Sequence, residues 1–107
     1  MPSNLEMVLR WQFVTAGLTD GLKEEFRAIP GRRYRWDFAW PAEMLLLEVQ
    51  GGVWTKGGHS TGTGITRDAE KANLATLAGF RCLAVTKDHI NSGQALKWVQ
   101  EALRRTK

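Results

Sequence analysis

The stretch RYRWDFAWPAEMLLLEVQGG, residues 33–52, decides how this chain is read. Apolar side chains alternate along 34–40 and again along 44–50, and Pro41 marks the connection, because a proline cannot extend a central strand. The two segments therefore read as an antiparallel hairpin. With residues 41–44 as a four-residue connection, Trp40 falls opposite Leu45, Phe38 opposite Leu47 and Trp36 opposite Val49, so one face is wholly apolar. The same register sets Asp37 opposite Glu48, with Ala39, Leu46 and Gln50 sharing that second face. Two carboxylates facing each other repel, and burial adds to the cost. Two readings answer this. Either a hard divalent cation sits between them, Mg²⁺ being suited to one or two carboxylates plus water and phosphate oxygens, or Asp37 bonds an arginine such as Arg35 or Arg81 and Glu48 is solvated at an edge.

Working outward, Ser3 and Glu6 form an S-x-x-E capping box, and Leu5, Val8, Leu9, Phe13 and Ala16 recur at helical spacing, predicting a first helix over about 4–16. LKEEFRAI (22–29) predicts a strand with Leu22, Glu24, Phe26 and Ala28 on one face and Lys23, Glu25 and Arg27 on the other. Beyond the hairpin, six of the eleven glycines fall between residues 51 and 64, which predicts a long functional or mobile loop. RDAEKANLATLAG then predicts a helix capped by Thr66 or Asp68 and closed at Gly79. FRCLAVT (80–86) predicts a buried strand. SGQALKWVQEALRR (92–105) predicts an amphipathic helix with Leu96, Val99 and Leu103 inward and Lys97, Arg104 and Arg105 outward. The expected order is α-β-β-β-α-β-α.

At 107 residues and 43% hydrophobic composition, the chain suits one domain, 1–107, able to bury roughly 60–70% of its unfolded surface. Its single cysteine, Cys82, rules out an intramolecular disulfide. No apolar run approaches the ~20 residues needed to span a bilayer, and MPSNLEMVLR lacks the order of a signal peptide. A soluble, cytoplasmic protein is expected. The net charge of +4 is unevenly placed: residues 81–107 carry six basic and two acidic side chains, whereas residues 1–80 carry nine of each. With the basic knot GRRYR (31–35), this suits a polyanionic partner such as nucleic acid. No G-x-x-x-x-G-K-[ST] is present, which argues against a nucleotide-binding P-loop.

RWDFAWP…LLLEVQGG, with a helical Glu before it and RDAEKANLATLAGF after it, resembles the PD-(D/E)XK nuclease superfamily, and within it the small phage and prophage endonucleases similar to Holliday-junction resolvases and very-short-patch repair nucleases. The D-x(10)-E-x-Q spacing and the element order carry the likeness over nearly the whole chain. It implies a restriction-endonuclease-like three-layer α/β core, a mixed four-stranded sheet flanked by helices. It also implies an Mg²⁺-dependent endodeoxyribonuclease, with Mn²⁺ able to substitute, encoded by a phage or prophage and working in a bacterial cytoplasm. Asp37 and Glu48 match the metal-binding acids, Glu6 the acid of the first helix, and Val49 the residue whose carbonyl completes the site. Position 50 departs from the pattern, since Gln50 stands where lysine is usual. Glutamine can orient a water but carries no charge. Lys71 could supply that charge from the second helix.

Arg33, Arg35, Lys56, His59 and Arg67 are the expected nucleic-acid contacts. Trp54 could stack on an unpaired base, while Trp36 and Trp40 suit the core. A branched or nicked DNA duplex is the expected substrate, cut by a symmetric homodimer, with Trp54, Trp98 and the basic last helix as surfaces that either make the dimer contact or line the DNA path. The rival expectation is a nucleic-acid-binding module of the same fold that lost catalysis with the lysine.

Overall fold

The computed structural model of the chain describes residues 4–50 and 62–105. Helix α1 spans Asn4–Thr15, followed by strands β1 (Lys23–Phe26) and β2 (Trp36–Trp40). A short 3-10 turn, Pro41–Glu43, leads into β3 (Leu45–Val49). Helix α2 (Gly62–Leu77), strand β4 (Arg81–Val85) and helices α3 (Lys87–Ser92) and α4 (Gln94–Arg105) complete the order. The four strands form one sheet in the order β1-β2-β3-β4, with β1, β2 and β3 antiparallel in sequence and β4 parallel to β3. The fold is α/β, a mixed four-stranded sheet flanked by helices on both faces.

The hairpin closes as its sequence requires. Proline fixes the first turn residue, and Met44 takes the left-handed conformation (φ 53°) and donates its N–H to Pro41 O at 3.0 Å. The pairs Phe38–Leu47, Ala39–Leu46 and Trp40–Leu45 then follow. On one face, Leu9 and Phe13 of α1, Ile90 of α3 and Ala95 and Val99 of α4 bury Phe38, Trp40, Leu45, Leu47 and Val85. Phe13 meets the rings of Phe38 and Trp40 edge-on at 5.3 and 5.1 Å, an arrangement that aligns ring edge with ring face. On the other face, Ala75 of α2 packs with Trp36, Ala39 and Leu46.

Several expectations are corrected. The expected alternation in β2 breaks at Asp37, since Trp36 lies in the α2-side cluster while Phe38 and Trp40 lie on the α1 side. A left-handed residue, Glu25 (φ 52°), does the same to β1: Leu22 packs on the α1 side and Phe26 on the α2 side. On the β1 side Trp36 pairs with Phe26, while on the β3 side the pairing stops at Phe38–Leu47, short of the expected Trp36–Val49 pair. Strand β1 is four residues long, not eight. Strand β4 is an edge strand, not a buried one, with Arg81, Cys82 and Ala84 exposed, because it is the last strand of the sheet and has a neighbour on one side only. Helix α2 starts at Gly62, so Thr66 and Asp68 lie inside it.

The C-terminal segment makes two helices where one was expected. Thr86 N–H donates to His89 Nδ1 at 3.0 Å in a capping box that starts α3. Gly93 (φ 87°) ends it, a conformation glycine adopts without steric cost. Within α4, Val99 is buried and Leu96 and Leu103 are partly buried, as their spacing predicts.

Candidate metal centre

Burial of Asp37 follows from its neighbours: Trp36 and Phe38 on either side are core residues, so the backbone carries the carboxylate inward with them. Val49 N–H donates to Asp37 Oδ2 at 2.7 Å. This bond occupies a donor that the β2–β3 ladder would otherwise use, and the ladder's backbone partners end at Phe38–Leu47. Asp37 and Glu48 are thus not the directly opposed pair the regular register predicts. They remain close enough that the charge of Asp37 helps to raise the pKa of Glu48.

Two further carboxylates reach Asp37. Glu6 comes from the first turn of α1, and its side chain stands near enough to Asp37 to lower the Asp37 pKa. Glu25 comes from β1. Ligand oxygens of Glu6, Glu25 and Asp37 all lie within 4.8 Å of one another. The Asp37 pKa is raised above its ordinary 3.8, chiefly by burial and further by the Glu25 charge, against the lowering effect of the Val49 N–H, Glu6 and Lys71. Glu25 also pairs with Arg35 at the exposed rim.

Glu48 is turned toward α2. Lys71 Nζ lies 2.6 Å from Glu48 Oε1, donates to Arg35 O at 2.6 Å, and sits 4.7 Å from the centre of the Trp36 ring. A carboxylate, a carbonyl and an aromatic face together fix the ammonium group. Burial raises the Glu48 pKa, and the Lys71 charge opposes that rise.

The structure therefore brings Glu6, Asp37, Val49, Glu48 and Lys71 into one region, and adds Glu25. The alternation of LKEEFRAI places Glu25 on a polar strand face beside Lys23 and Arg27. Glu25 reaches the site because Lys23–Ala39, Glu24–Phe38 and Phe26–Trp36 pairing sets residue 25 beside Asp37. That register depends on the connection 27–35, whose path no periodicity gives; the doubled acid in KEEF was the one available signal. Gln50 lies just beyond β3, exposed, with its N–H donating to Val85 O at 2.8 Å. Arg35 and Arg81 do not play the role of Asp37 partner: Arg35 pairs with Glu25, and Arg81 donates to Glu43 O and Ala102 O, each at 3.0 Å. Arg33 and Arg67 are exposed, and Arg32 and Tyr34 both bond Glu70. Ser3, Trp54, Lys56, His59 and the expected 51–61 part of the glycine-rich loop lie outside the described residues.

The three converging carboxylates, Glu6 on a helix and Glu25 and Asp37 on two strands, are hard oxygen donors of the type that suits Mg²⁺ or Mn²⁺ better than zinc, while Glu48 stands outside the group, bonded to Lys71. No protein-family model matches this chain, and no curated protein or solved structure is significantly similar to it.

Proposed function

We propose that the chain is a metal-dependent DNA endonuclease of the PD-(D/E)XK kind, hydrolysing phosphodiester bonds, with a restriction-endonuclease-like core. One observation carries the proposal: Glu6, Glu25 and Asp37, from three separate elements, bring their carboxylates within 4.8 Å of one another. Convergence of like charge raises the free energy of the folded state unless a proton or cation offsets it. Glu25 adds strain, since a left-handed non-glycine residue costs about 1–2 kcal/mol, and such strain concentrates at functional sites.

In this proposal Asp37, oriented by the Val49 N–H, and Glu48, oriented by Lys71, hold Mg²⁺, with Glu6 and Glu25 completing the acidic side. Bound there, the ion would lower the pKa of a water and stabilise charge building on the phosphate. Lys71 supplies the positive charge that Gln50 lacks, next to Glu48 where a strand lysine would project. Gln50 positions water as a neutral donor and acceptor. Asp37, its pKa raised chiefly by burial, must be deprotonated to serve as a ligand. Arg33, Arg35 and Arg67 offer cations for the DNA backbone.

Branched or nicked duplex is the proposed substrate, in phage-type replication or recombination. A panel of labelled four-way junction, flap, nicked and linear DNAs with Mn²⁺ or Mg²⁺ tests the activity. Cleavage lost with chelator and in Asp37→Asn supports it. Gln50 in the usual lysine position favours one rival, a binding module without catalysis. Metal-independent binding to the same DNAs, with no cleavage of any, would establish that rival.

A further inference from the structure

Helix α1 is apolar on two opposite sides. Leu5, Leu9 and Phe13 face the sheet, with Leu9 and Phe13 fully buried. On the far side Met7, Val8, Trp11 and Val14 are 52%, 42%, 65% and 57% exposed. Asn4, Met7, Trp11 and Val14 follow a 3-4-3 spacing, the a/d pattern by which one helix packs along another. A helix apolar on two sides suits an interior, yet among the described residues no second neighbour covers that side.

We infer that this outer face of α1 pairs with the α1 face of a second copy of the chain, in an antiparallel helix pair about a two-fold axis. The strip is self-complementary in that direction. With residue 9 at the axis, Met7 meets Trp11 of the other copy and Asn4 meets Val14, while Val8 approaches its own equivalent beside the axis. The bulky indole thus lies against a flexible thioether, a favourable contact, whereas a parallel pair would stack Trp11 on Trp11 and align the two helix dipoles.

Charge supports a second copy over nucleic acid. The two charged residues of α1 are turned to their own chain: the Glu6 carboxylate lies within 4.8 Å of those of Glu25 and Asp37, and Arg10 makes two 2.8 Å hydrogen bonds to Glu24. Arg10 flanks the strip and in this register approaches its own equivalent across the axis, and its ion pair with Glu24 offsets that repulsion and leaves it engaged and not offered to a phosphate. The patch is on the order of 400 Å² per copy, the size that marks interaction sites, so a pair buries about 800 Å² in total, short of a standard stable interface. The dimer is accordingly weak and reversible. Trp98, one expected contact, is instead partly buried and packed edge-on against His89 at 4.8 Å.

This inference stands apart from the proposed nuclease activity, and so does its test. Sedimentation velocity on the full chain, without DNA or metal, from micromolar to near-millimolar protein should show a concentration-dependent, reversible shift from monomer to dimer. Trp11→Glu, exposed enough to keep the fold and its melting temperature, should raise the dissociation constant at least about tenfold. In a Cys82→Ser background, Met7→Cys with Trp11→Cys should oxidise to a covalent dimer, whereas Met7→Cys alone should not. A wild-type chain monomeric throughout, a dimer indifferent to Trp11→Glu, or open-ended assembly would each overturn the proposal. Trp11-dependent sedimentation of a strictly monomeric chain with phosphatidylcholine–phosphatidylserine vesicles would overturn it in favour of a lipid surface.

Discussion

Lys71 Nζ reaches across from α2 to within 2.6 Å of Glu48 Oε1, so the cation absent from position 50 of the strand arrives beside the same carboxylate from another element. The ammonium group is mostly buried, with 18% of its side chain exposed, and Trp36 closes over it at 4.7 Å. A lysine held this way has one geometry, which is what a catalytic or positioning cation requires and a solvated helix lysine lacks.

Removing that cation should affect both stability and chemistry. Lys71→Ala leaves the half-buried Glu48 without its partner and should cost about 1–3 kcal/mol of stability, read as a drop in denaturation midpoint. Under the proposed activity it should also lower the single-turnover rate roughly 10²- to 10⁴-fold. A loss of stability with an unchanged cleavage rate would make Lys71 structural only.

Gln50→Lys should restore part of the rate lost in Lys71→Ala. Position 50 follows directly on β3 and is exposed, so a lysine there meets no packing obstacle. Rescue in the double variant, without recovery of the lost stability, would separate the catalytic effect of the charge from its structural one.

Asp37 and Glu48 make stability depend on pH in a stated direction. Both are raised above their ordinary values, 3.8 and 4.5, chiefly by burial. The folded state therefore holds protons that the unfolded state releases, and the contribution of these two groups to stability falls as pH rises from about 4 through their raised values. Metal-free Asp37→Asn and Glu48→Gln should each lose less stability than the parent between pH 4 and 7, measured by denaturant titration. Both substitutions should abolish cleavage while leaving DNA affinity largely intact, because they remove proposed metal ligands and not phosphate contacts. Full activity in either would refute the assignment.

Addition of Mn²⁺ or Mg²⁺ should raise the melting temperature, by an amount equivalent to about 2.7 kcal/mol at a hundredfold excess over the dissociation constant. The shift should grow with pH, since Asp37, its pKa raised chiefly by burial, must lose its proton to serve as a ligand. Glu25→Gly tests the residue that strand pairing added to the site. It relieves a left-handed backbone at φ 52°, which offsets loss of the exposed Arg35 pair, so the metal-free melting temperature should hold while the metal-induced shift declines. An undiminished shift would remove Glu25 from the ligand set.

What the sequence determined by itself is the hairpin and its neighbours. Residues 36–49 carry a proline-started turn and an apolar alternation that one-residue slippage would expose to water, so local chemistry selects the Phe38–Leu47 register. The helical periods of α1, α2 and α4 are equally local. The hairpin register made Asp37 and Glu48 legible as candidates, whereas Glu6 and Lys71 became candidates only through the family resemblance. Tertiary structure decided the rest. Whether β4 is buried depends on its place in the sheet, and the edge position of Cys82 and Ala84 is written in no run of residues. The left-handed turn at Glu25, the loss of alternation at Asp37 and the choice of Val49 N–H as its donor arise only where three strands and a helix meet. Periodicity reports the environment averaged along a strand. A polar site is the place where that average fails, because a few specific contacts outweigh the apolar pattern.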